Sequence, residues 1–382
     1  MNTKPRIGWI CNSSIGKSET FLIDNLSIIR EIGDVKAYSG NRNPKQDHES
    51  IQQCDFDDVP QRLHHVIRKK ITGIDPTVRR KRRRCVKQLL HGLKEYDPAV
   101  VWIEFGTTAH VAADLLRYLD KPFIIAVHGF DITREFKDPY YQKEFTRIAN
   151  LSESIICASD HTKNLCIAAG VDDALCKVIR LPLDGHRNLP KNQSQTHPAS
   201  FVHLGRLVEK KGPLQTVMAF ERVLNEIPDA TLTIIGEGPL RQTVEERIHK
   251  TGIGDSIRLT GALPQSEALG LVQEQAIFCQ HSVTGTDGDQ EGFALSPAEA
   301  ALMEMPVIST LHNGIPEHVI HGETGLLVRE WDIEGMAKAM IELATNPEKA
   351  LVMGKAGRQN ILKLCDPSSR KAALESLIKS LS

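Results

Sequence analysis

Short, unbroken apolar segments recur along almost the whole chain, and they restrict its fold more than any other feature. Segments of this kind, without polar alternation, are typical of strands covered on both faces, as in parallel sheets. Helix-like stretches separate them, for example at 215–226, 240–250 and 334–345. Repeated strand–helix–strand units predict a doubly wound α/β architecture. We predict strands at 7–11, 100–105, 123–128, 154–158, 177–181, 201–204, 231–235, 256–259, 276–280, 307–310 and 325–328.

One polar stretch interrupts this rhythm at 184–200, where turn-forming residues replace apolar ones. The chain has 382 residues, more than twice the ~150 of a typical domain. We therefore predict two α/β domains, 1–183 and 201–366, joined by a linker at 184–200.

The composition excludes several classes of protein. Apolar residues make up 41% and charged residues 25%, which is ordinary for a globular chain and excludes disordered, collagen-like and disulfide-rich proteins. No uncharged apolar run approaches the ~18 residues of a membrane-spanning helix, and 7–11 is too short for a signal-peptide core. The eight cysteines form no C-x-x-C pair. They predict buried free thiols in a reducing cytoplasm and no cysteine-based zinc site.

The positive charge is concentrated in one segment. Between Arg62 and Lys87 there are eleven Lys or Arg residues and one acid, Asp75, although the whole chain has a net charge of −1. A solvated helix face is one interpretation. Nucleic acid is a second, but an aromatic content of 5% and the near-neutral total charge argue against it. The third is an anionic membrane surface bound through Arg79–Lys87, as in a peripheral enzyme at the inner face of the plasma membrane.

Three short motifs resemble known sites, but a structural interpretation is favoured or a required residue is missing in each. Gly16-Lys17-Ser18 lacks the first glycine of a phosphate-binding loop, because Cys11 stands there. Gly236-Glu237-Gly238 lacks the third glycine of a dinucleotide fingerprint, so a tight strand-to-helix turn is favoured. Asp287-Gly288-Asp289 spells D-x-D, but turn chemistry explains it better, and the histidines show no metal-binding spacing. We therefore expect no metal and no cofactor.

The segment EGFALSPAEA, which starts at Glu291, has two interpretations. In the structural one, Ser296 caps a helix, Pro297 takes its first position and Glu299 completes a capping box. In the functional one, the helix N-terminus offers unsatisfied N–H groups to a phosphate, and Gly292 lets a ligand approach the backbone. The two carboxylates would then hold sugar or ribose hydroxyl groups.

A basic loop follows the first predicted strand of the second domain. Gly205 opens it, and Arg206 and Lys211 can together clamp a diphosphate. A short basic loop is usually only solvated. Its position at the carboxyl end of a parallel strand, where doubly wound sheets bind ligands, favours the functional interpretation.

Several motifs in the same order resemble those of glycosyltransferase family 4. Glu291 and Glu299 match the E-x7-E signature of that family. The N-terminal half is also similar, at SETFL (18–22) and VHG (127–129). The other matching segments are GRLVEKKG (205–212), IIGEGPLR (234–241), GALP (261–264), EGFALSPAEA (291–300), NGIPE (313–317) and GETGLLV (322–328).

The resemblance implies the GT-B fold, with two Rossmann-like domains facing a cleft and a last helix, 367–382, that crosses back to the first domain. It implies transfer of a sugar from a nucleotide-sugar donor with retention of configuration and without a metal. The pattern around 288–293 and 312–317 is most similar to transferases of bacterial exopolysaccharide and lipopolysaccharide assembly. That similarity suggests a lipid-linked saccharide acceptor.

The resemblance also assigns site residues. Arg206 and Lys211 would hold the diphosphate, Glu291 the sugar hydroxyls and Glu299 the ribose diol. His128 would lie near the C6 side of the sugar and the reacting centre. In the first loop Gly16 would approach the phosphate or acceptor, although SSIG (13–16) replaces the usual glycine pair. The donor would also contact Gly205 and the backbone of Gly292, Phe293, Ala294 and Leu295.

Two alternatives remain open at this point. One is another enzyme on the same fold, a sugar phosphorylase or a nucleotide-sugar epimerase. The other is a non-catalytic scaffold that binds a partner transferase. Retention of Glu291, Glu299, Arg206 and Lys211 argues against the scaffold.

Overall fold

The computed structural model describes residues 4–11, 20–39, 51–53, 89–185 and 196–381. The chain divides into two compact units. The first unit comprises 1–158, 163–179 and 368–382, and the second comprises 159–162 and 180–367. The division falls at Ile179–Arg180, slightly before the polar stretch. Arg180 belongs to the second unit, where its guanidinium pairs with Asp160 at 2.8 Å and Glu317 at 3.0 Å.

The first unit contains a parallel sheet with seven described strands in the order β3-β2-β1-β4-β5-β6-β7. The order reverses at β1, as in a doubly wound sheet. The strands are β1 Arg6–Cys11, β2 Asp34–Ser39, β3 Ile51–Gln53, β4 Val100–Glu104, β5 Phe123–Val127, β6 Ser154–Cys157 and β7 Cys176–Val178.

The second unit contains a parallel sheet with six described strands in the order β10-β9-β8-β11-β12-β13. It reverses at β8 in the same way. The strands are β8 Ser200–Leu204, β9 Thr231–Ile235, β10 Ile257–Gly261, β11 Ile277–Cys279, β12 Val307–Thr310 and β13 Gly325–Val328.

Helices connect the strands in both units. In the first unit they are α1 Thr20–Ile32, a segment at 89–96, α2 Gly106–Leu119, α3 Pro139–Ala149 and α4 Asp160–Ala168, whose first turn is grouped with the second unit. In the second unit they are α5 Pro213–Glu226, α6 Arg241–Thr251, α7 Gln265–Gln273, α8 Leu295–Leu302, α9 Ile333–Thr345 and α10 Pro347–Leu364. The last helix is α11 Pro367–Leu381.

The predicted doubly wound α/β class is confirmed, and each of the eleven predicted strands is present within two residues at its N-terminal end. The analysis missed β2 and β3. Their sequences, DVKAYS and IQQ, lack a continuous apolar run. β3 is the edge strand and β2 is next to it; towards the edge of a sheet fewer elements cover a strand, so the apolar signal weakens.

The helix α11 packs on the first unit, as the family resemblance implies. Leu374 and Ile378 are fully buried in a cluster with Ile7, Trp9 and Trp102. The prediction of buried free thiols is confirmed for the described residues, where six cysteines are free and buried. In the part of the chain described, no helix is long and apolar enough to cross a membrane.

Candidate active site

The loop after β8 carries the basic residues that the sequence singled out. Arg206 is exposed, whereas Lys211 is largely covered. A Cβ on Gly205 would lie 3.3 Å from Lys211 Cδ, so the lysine chain runs directly over this glycine. Gly236 follows the neighbouring strand β9 with φ 146°, and a Cβ there would lie 1.9 Å from the Gly205 carbonyl. The glycines thus make the tight turn predicted for Gly236–Gly238, and they leave the backbone accessible at the carboxyl end of the sheet.

Lys211 and Glu291 form a nearly buried ion pair. Lys211 Nζ lies 3.0 Å from Glu291 Oε1, and the glutamate side chain is 7% exposed. Burial alone would raise the pKa of Glu291, but the charges of Lys211 and Lys210 outweigh it and lower the pKa to about 2. Glu291 is therefore ionised at neutral pH. Lys211 and Glu291, which were predicted as separate site residues, form one ion pair.

A second carboxylate and two histidines hold the loop that carries Glu291. Glu291 N donates to His312 Nε2 at 3.2 Å, and His312 Nδ1 lies 2.6 Å from Glu330 Oε1. Because Nε2 accepts, Nδ1 carries the hydrogen that is donated to Glu330. Further along, His318 Nε2 donates to the Phe293 carbonyl at 2.8 Å. Neither His312 nor Glu330 was predicted to have a role in the site, since their role depends on a pairing between separate loops.

The segment 292–295 leads into α8 with an unusual backbone conformation. Ala294 has φ 61° and ψ 83°, and no side chain caps the helix that starts at Leu295. A non-glycine residue with positive φ is uncommon and costs about 1–3 kcal/mol. The uncapped N-terminus presents backbone N–H groups and the positive end of the helix dipole, which suits an anion.

The capping-box interpretation of this segment is wrong. Ser296 lies inside the first turn, and its hydroxyl donates to Gln280 Oε1 at 3.0 Å rather than capping the helix. Glu299 is partly exposed and accepts from Gln265 Nε2 at 3.3 Å. The structure therefore gives Glu299 no capping role.

The D-x-D sequence serves the loop itself. Asp287 Oδ1 accepts from Asp289 N at 2.9 Å, and Asp289 pairs with Lys210 at 3.0 Å. Among the described residues, no group of three or more His, Cys, Asp or Glu side chains is placed to hold a metal ion.

His128 lies in the first unit, at the carboxyl end of the parallel strands β4 and β5. Its Nε2 donates to Glu104 Oε2 at 2.7 Å, and its backbone N–H donates to Asp131 at 3.1 Å. Phe21 and Phe105 flank the ring with centroid distances of 4.9 and 4.8 Å. The sequence analysis missed Glu104, although a charged residue that ends the apolar run VVWI could have revealed it.

Two predicted features lie outside the described residues. These are Gly16, with the rest of the first loop, and the basic segment that includes Arg79–Lys87. Most of the polar stretch, at 186–195, also lies outside them.

Acid is expected to destabilise the second unit through its buried histidines. Burial lowers the pKa of His203 to about 3, and those of His281 and His318 to about 4, from an ordinary value of 6.5. The unfolded chain therefore binds more protons, so the free energy of unfolding falls as pH drops from about 6.5 to about 4. Each unit by which folding lowers a pKa corresponds to about 1.4 kcal/mol of free energy between the two protonation states. The urea midpoint should be clearly lower at pH 5 than at pH 7.5. His281→Leu should reduce this difference. Equal midpoints at the two pH values would contradict the prediction.

Two family models match the chain. One described as "Glycosyltransferase Family 4" matches residues 35–187, and one described as "Glycosyl transferases group 1" matches residues 186–360. Together they span residues 35–360, which include most of the second unit and part of the first.

Curated relatives are similar over much of the chain. The amylovoran biosynthesis glycosyltransferase AmsK of Erwinia amylovora is 27% identical over 70% of this chain and 67% of its own length. The putative colanic acid biosynthesis glycosyltransferase WcaL of Escherichia coli is 28% identical over 62% of this chain and 59% of its own length. A GDP-mannose-dependent alpha-(1-6)-phosphatidylinositol monomannoside mannosyltransferase of Mycolicibacterium smegmatis is 26% identical over 80% of both chains. This chain thus spans about two thirds or less of the first two relatives.

Solved structures share the fold. Anabaena HepE in complex with UDP-glucose aligns with a TM-score of 0.78, covering 98% of this chain and 100% of that one at 16% identity. Sucrose-phosphate synthase from Thermosynechococcus elongatus aligns with a TM-score of 0.80, covering 99% of both chains at 16% identity.

Proposed function

Because the chain belongs to glycosyltransferase family 4 and has the GT-B fold, we propose that it transfers a sugar from a nucleoside-diphosphate sugar to a hydroxyl group of a saccharide acceptor. The observation that carries the proposal is the buried pair of Lys211, in the loop after β8, and Glu291, in the loop before the uncapped helix α8. A fixed cation, a fixed carboxylate and free backbone N–H groups suit a diphosphate bonded to a sugar. The names of AmsK and WcaL support a role in exopolysaccharide biosynthesis.

The mechanism that we propose needs charge stabilisation at the leaving group. As the bond between the sugar and the diphosphate breaks, negative charge grows on the phosphate oxygens. Lys211, Arg206 and the N-terminus of α8 would stabilise it. Glu291 would hold hydroxyl groups of the donor sugar, because its pKa of about 2 keeps it an acceptor at neutral pH.

The stereochemistry follows from the family resemblance. We propose retention of configuration, with the acceptor attacking from the face that the diphosphate leaves. The departing phosphate would take the acceptor's proton, because we identify no carboxylate suited to act as a nucleophile. No metal takes part in this scheme.

The acceptor is proposed to be a lipid-linked saccharide. One relative is named as acting on a phosphatidylinositol mannoside, and the basic segment in the sequence is suited to an anionic membrane surface. The donor base stays open, since the relatives and neighbours include both a GDP-mannose-dependent enzyme and a complex with UDP-glucose.

A thermal-shift panel tests the proposal and the role of Glu299 together. One of UDP, GDP, ADP or dTDP should raise the melting temperature, with or without EDTA, because a ligand that binds only the folded state stabilises it. Glu299→Ala should keep the ligand-free melting temperature, since Glu299 is not a cap, but should lose most of the ligand-induced shift. Gln265→Ala is the matched control and should keep the shift. A shift with inorganic phosphate alone would favour a phosphorylase, and no shift with any ligand would favour a scaffold.

A further inference from the structure

Glu104 is a buried carboxylate with an unusual set of partners. It is fully buried at the end of β4. Its Oε1 accepts from Trp9 Nε1 at 3.1 Å, Trp102 Nε1 at 2.8 Å and Asn25 Nδ2. Among the described residues, its Oε2 accepts only from His128, at 2.7 Å. Three neutral donors therefore fix one oxygen and leave the other for the histidine.

The glutamate is ionised in this setting. Burial would raise the pKa of Glu104, but the hydrogen bond from His128, the charge that His128 has when protonated, and the hydrogen bonds from Trp102 and Trp9 outweigh it and hold the pKa below its usual range. An ionised carboxylate can only accept, so in the neutral form of His128 the hydrogen must lie on Nε2.

The other ring nitrogen has no partner in the part of the chain that the structure describes. His128 Nδ1 is buried and makes no hydrogen bond to any described residue. A buried polar atom without a partner is costly, by about 1–3 kcal/mol, and calls for an explanation such as a ligand group that completes it. The ring cannot turn to satisfy it, because Phe21 and Phe105 flank it and Glu104 holds Nε2.

The backbone beside Glu104 is strained. Phe105 has φ 70° and ψ 141°, and positive φ is rare for a bulky side chain. Such strain is concentrated at functional sites, where the surrounding structure maintains it.

The last helix completes the arrangement. Arg370 in α11 donates from Nη2 to Asn25 Oδ1 at 2.6 Å and from Nη1 to the Ile179 carbonyl at 2.7 Å. The bond to Ile179 holds the Arg370 guanidinium, and the bond to Asn25 Oδ1 orients that amide so that its Nδ2 points to Glu104. A residue near the C-terminus of the chain thus supports the pocket of His128.

We propose that Glu104 is a positioning residue, which fixes neutral His128 as the Nε2–H tautomer so that Nδ1 accepts a hydrogen bond from a hydroxyl group of a saccharide substrate. The inference rests on the proposed function for the identity of the ligand. The tautomer itself does not depend on it.

Glu104→Gln is the decisive variant, because it preserves shape and reverses the tautomer. The three donors at Oε1 select the glutamine carbonyl for that position, so the amide NH₂ faces His128 Nε2. Nε2 must then accept, and the hydrogen moves to Nδ1. A donor replaces the acceptor at the position where the sugar hydroxyl binds, as in other carboxylate–histidine pairs changed to the amide.

The first measurement is the ¹⁵N spectrum of histidine-labelled protein without ligand, assigned with His128→Asn. We expect the Nε2–H tautomer for His128 in the unchanged protein and the Nδ1–H tautomer in Glu104→Gln. The Nδ1–H tautomer in the unchanged protein would overturn the proposal, even if the variant failed to fold.

The second measurement is the release of nucleoside diphosphate from UDP-glucose and from GDP-mannose. Glu104→Gln should lower kcat about 10- to 100-fold, while KM and the thermal shift with UDP or GDP stay within twofold of the unchanged protein. Glu31→Gln, at the exposed pair with Lys371, is the matched control and should change neither. An unchanged kcat in Glu104→Gln would refute the positioning role. Absence of both release and nucleotide binding in the unchanged protein would refute the proposed function, and the tautomer would still decide the role of Glu104.

Discussion

Replacing Lys211 by alanine is expected to lower turnover by about 10²–10³-fold, because it removes a fixed charge from the leaving diphosphate. The same change leaves Glu291 buried without its partner. Breaking such a pair costs about 3–5 kcal/mol, and the pKa of Glu291 should rise from about 2, since Lys211 is the strongest of the influences that lower it. The variant should therefore lose both activity and stability. Release of nucleoside diphosphate and the urea midpoint measure the two losses.

A double variant separates the two effects. Lys211→Met with Glu291→Gln removes both charges at similar volume, so most of the stability should return while activity stays low. Arg222→Ala is the surface control, because its pair with Glu334 is largely exposed and worth little. Near-normal turnover in Lys211→Ala would remove the lysine from the mechanism.

Replacing Gly212 by alanine is expected to prevent normal folding of the second unit or to cost about 4 kcal/mol or more. Gly212 has φ 57° and ψ 43°, and a Cβ there would lie 1.8 Å from the His281 carbonyl. Backbone cannot yield as a flexible side chain can. The shift would also displace Lys211, the residue before it.

Gly252 offers a matched control for this prediction. It has φ 70° and ψ 20° at the end of α6, and no atom of the described residues beyond its own chain neighbours lies within 4 Å of a Cβ added there. Gly252→Ala therefore has only the left-handed strain of about 1–2 kcal/mol. Urea unfolding of the two variants measures the difference. Equal losses would show that the contact with His281 relaxes easily.

The architecture was largely predictable, because continuous apolar runs mark strands that are covered on both faces. The members of the site were predictable one by one, because Lys211 and Glu291 each lie in a loop that leads from a parallel strand to a helix. Their pairing was not, since it joins loops 80 residues apart in sequence. The chain of hydrogen bonds from Glu291 through His312 to Glu330 also joins separate loops, so it was not predictable either.

The local backbone conformation explains why the predicted capping box does not form. Ser296, Pro297 and Glu299 have the residue types of a helix start, but Ala294 takes the left-handed conformation and the helix begins at Leu295. Sequence patterns do not predict positive φ at alanine, because the tertiary contacts of the loop impose it. Glu104 escaped notice for a related reason: a carboxylate that three neutral donors bury looks like the polar end of a strand.

The placement of α11 has a consequence for biosynthesis. Residues 368–382 belong to the first unit, but the whole span 180–367 is translated before them. Leu374, Ile378 and Arg370 therefore reach their positions against β1, β4 and α1 only after the second unit has left the ribosome. The N-terminal strands cannot complete their core during translation in the usual N-to-C order. Until then, an apolar surface on the nascent first unit stays uncovered and is a natural substrate for chaperones.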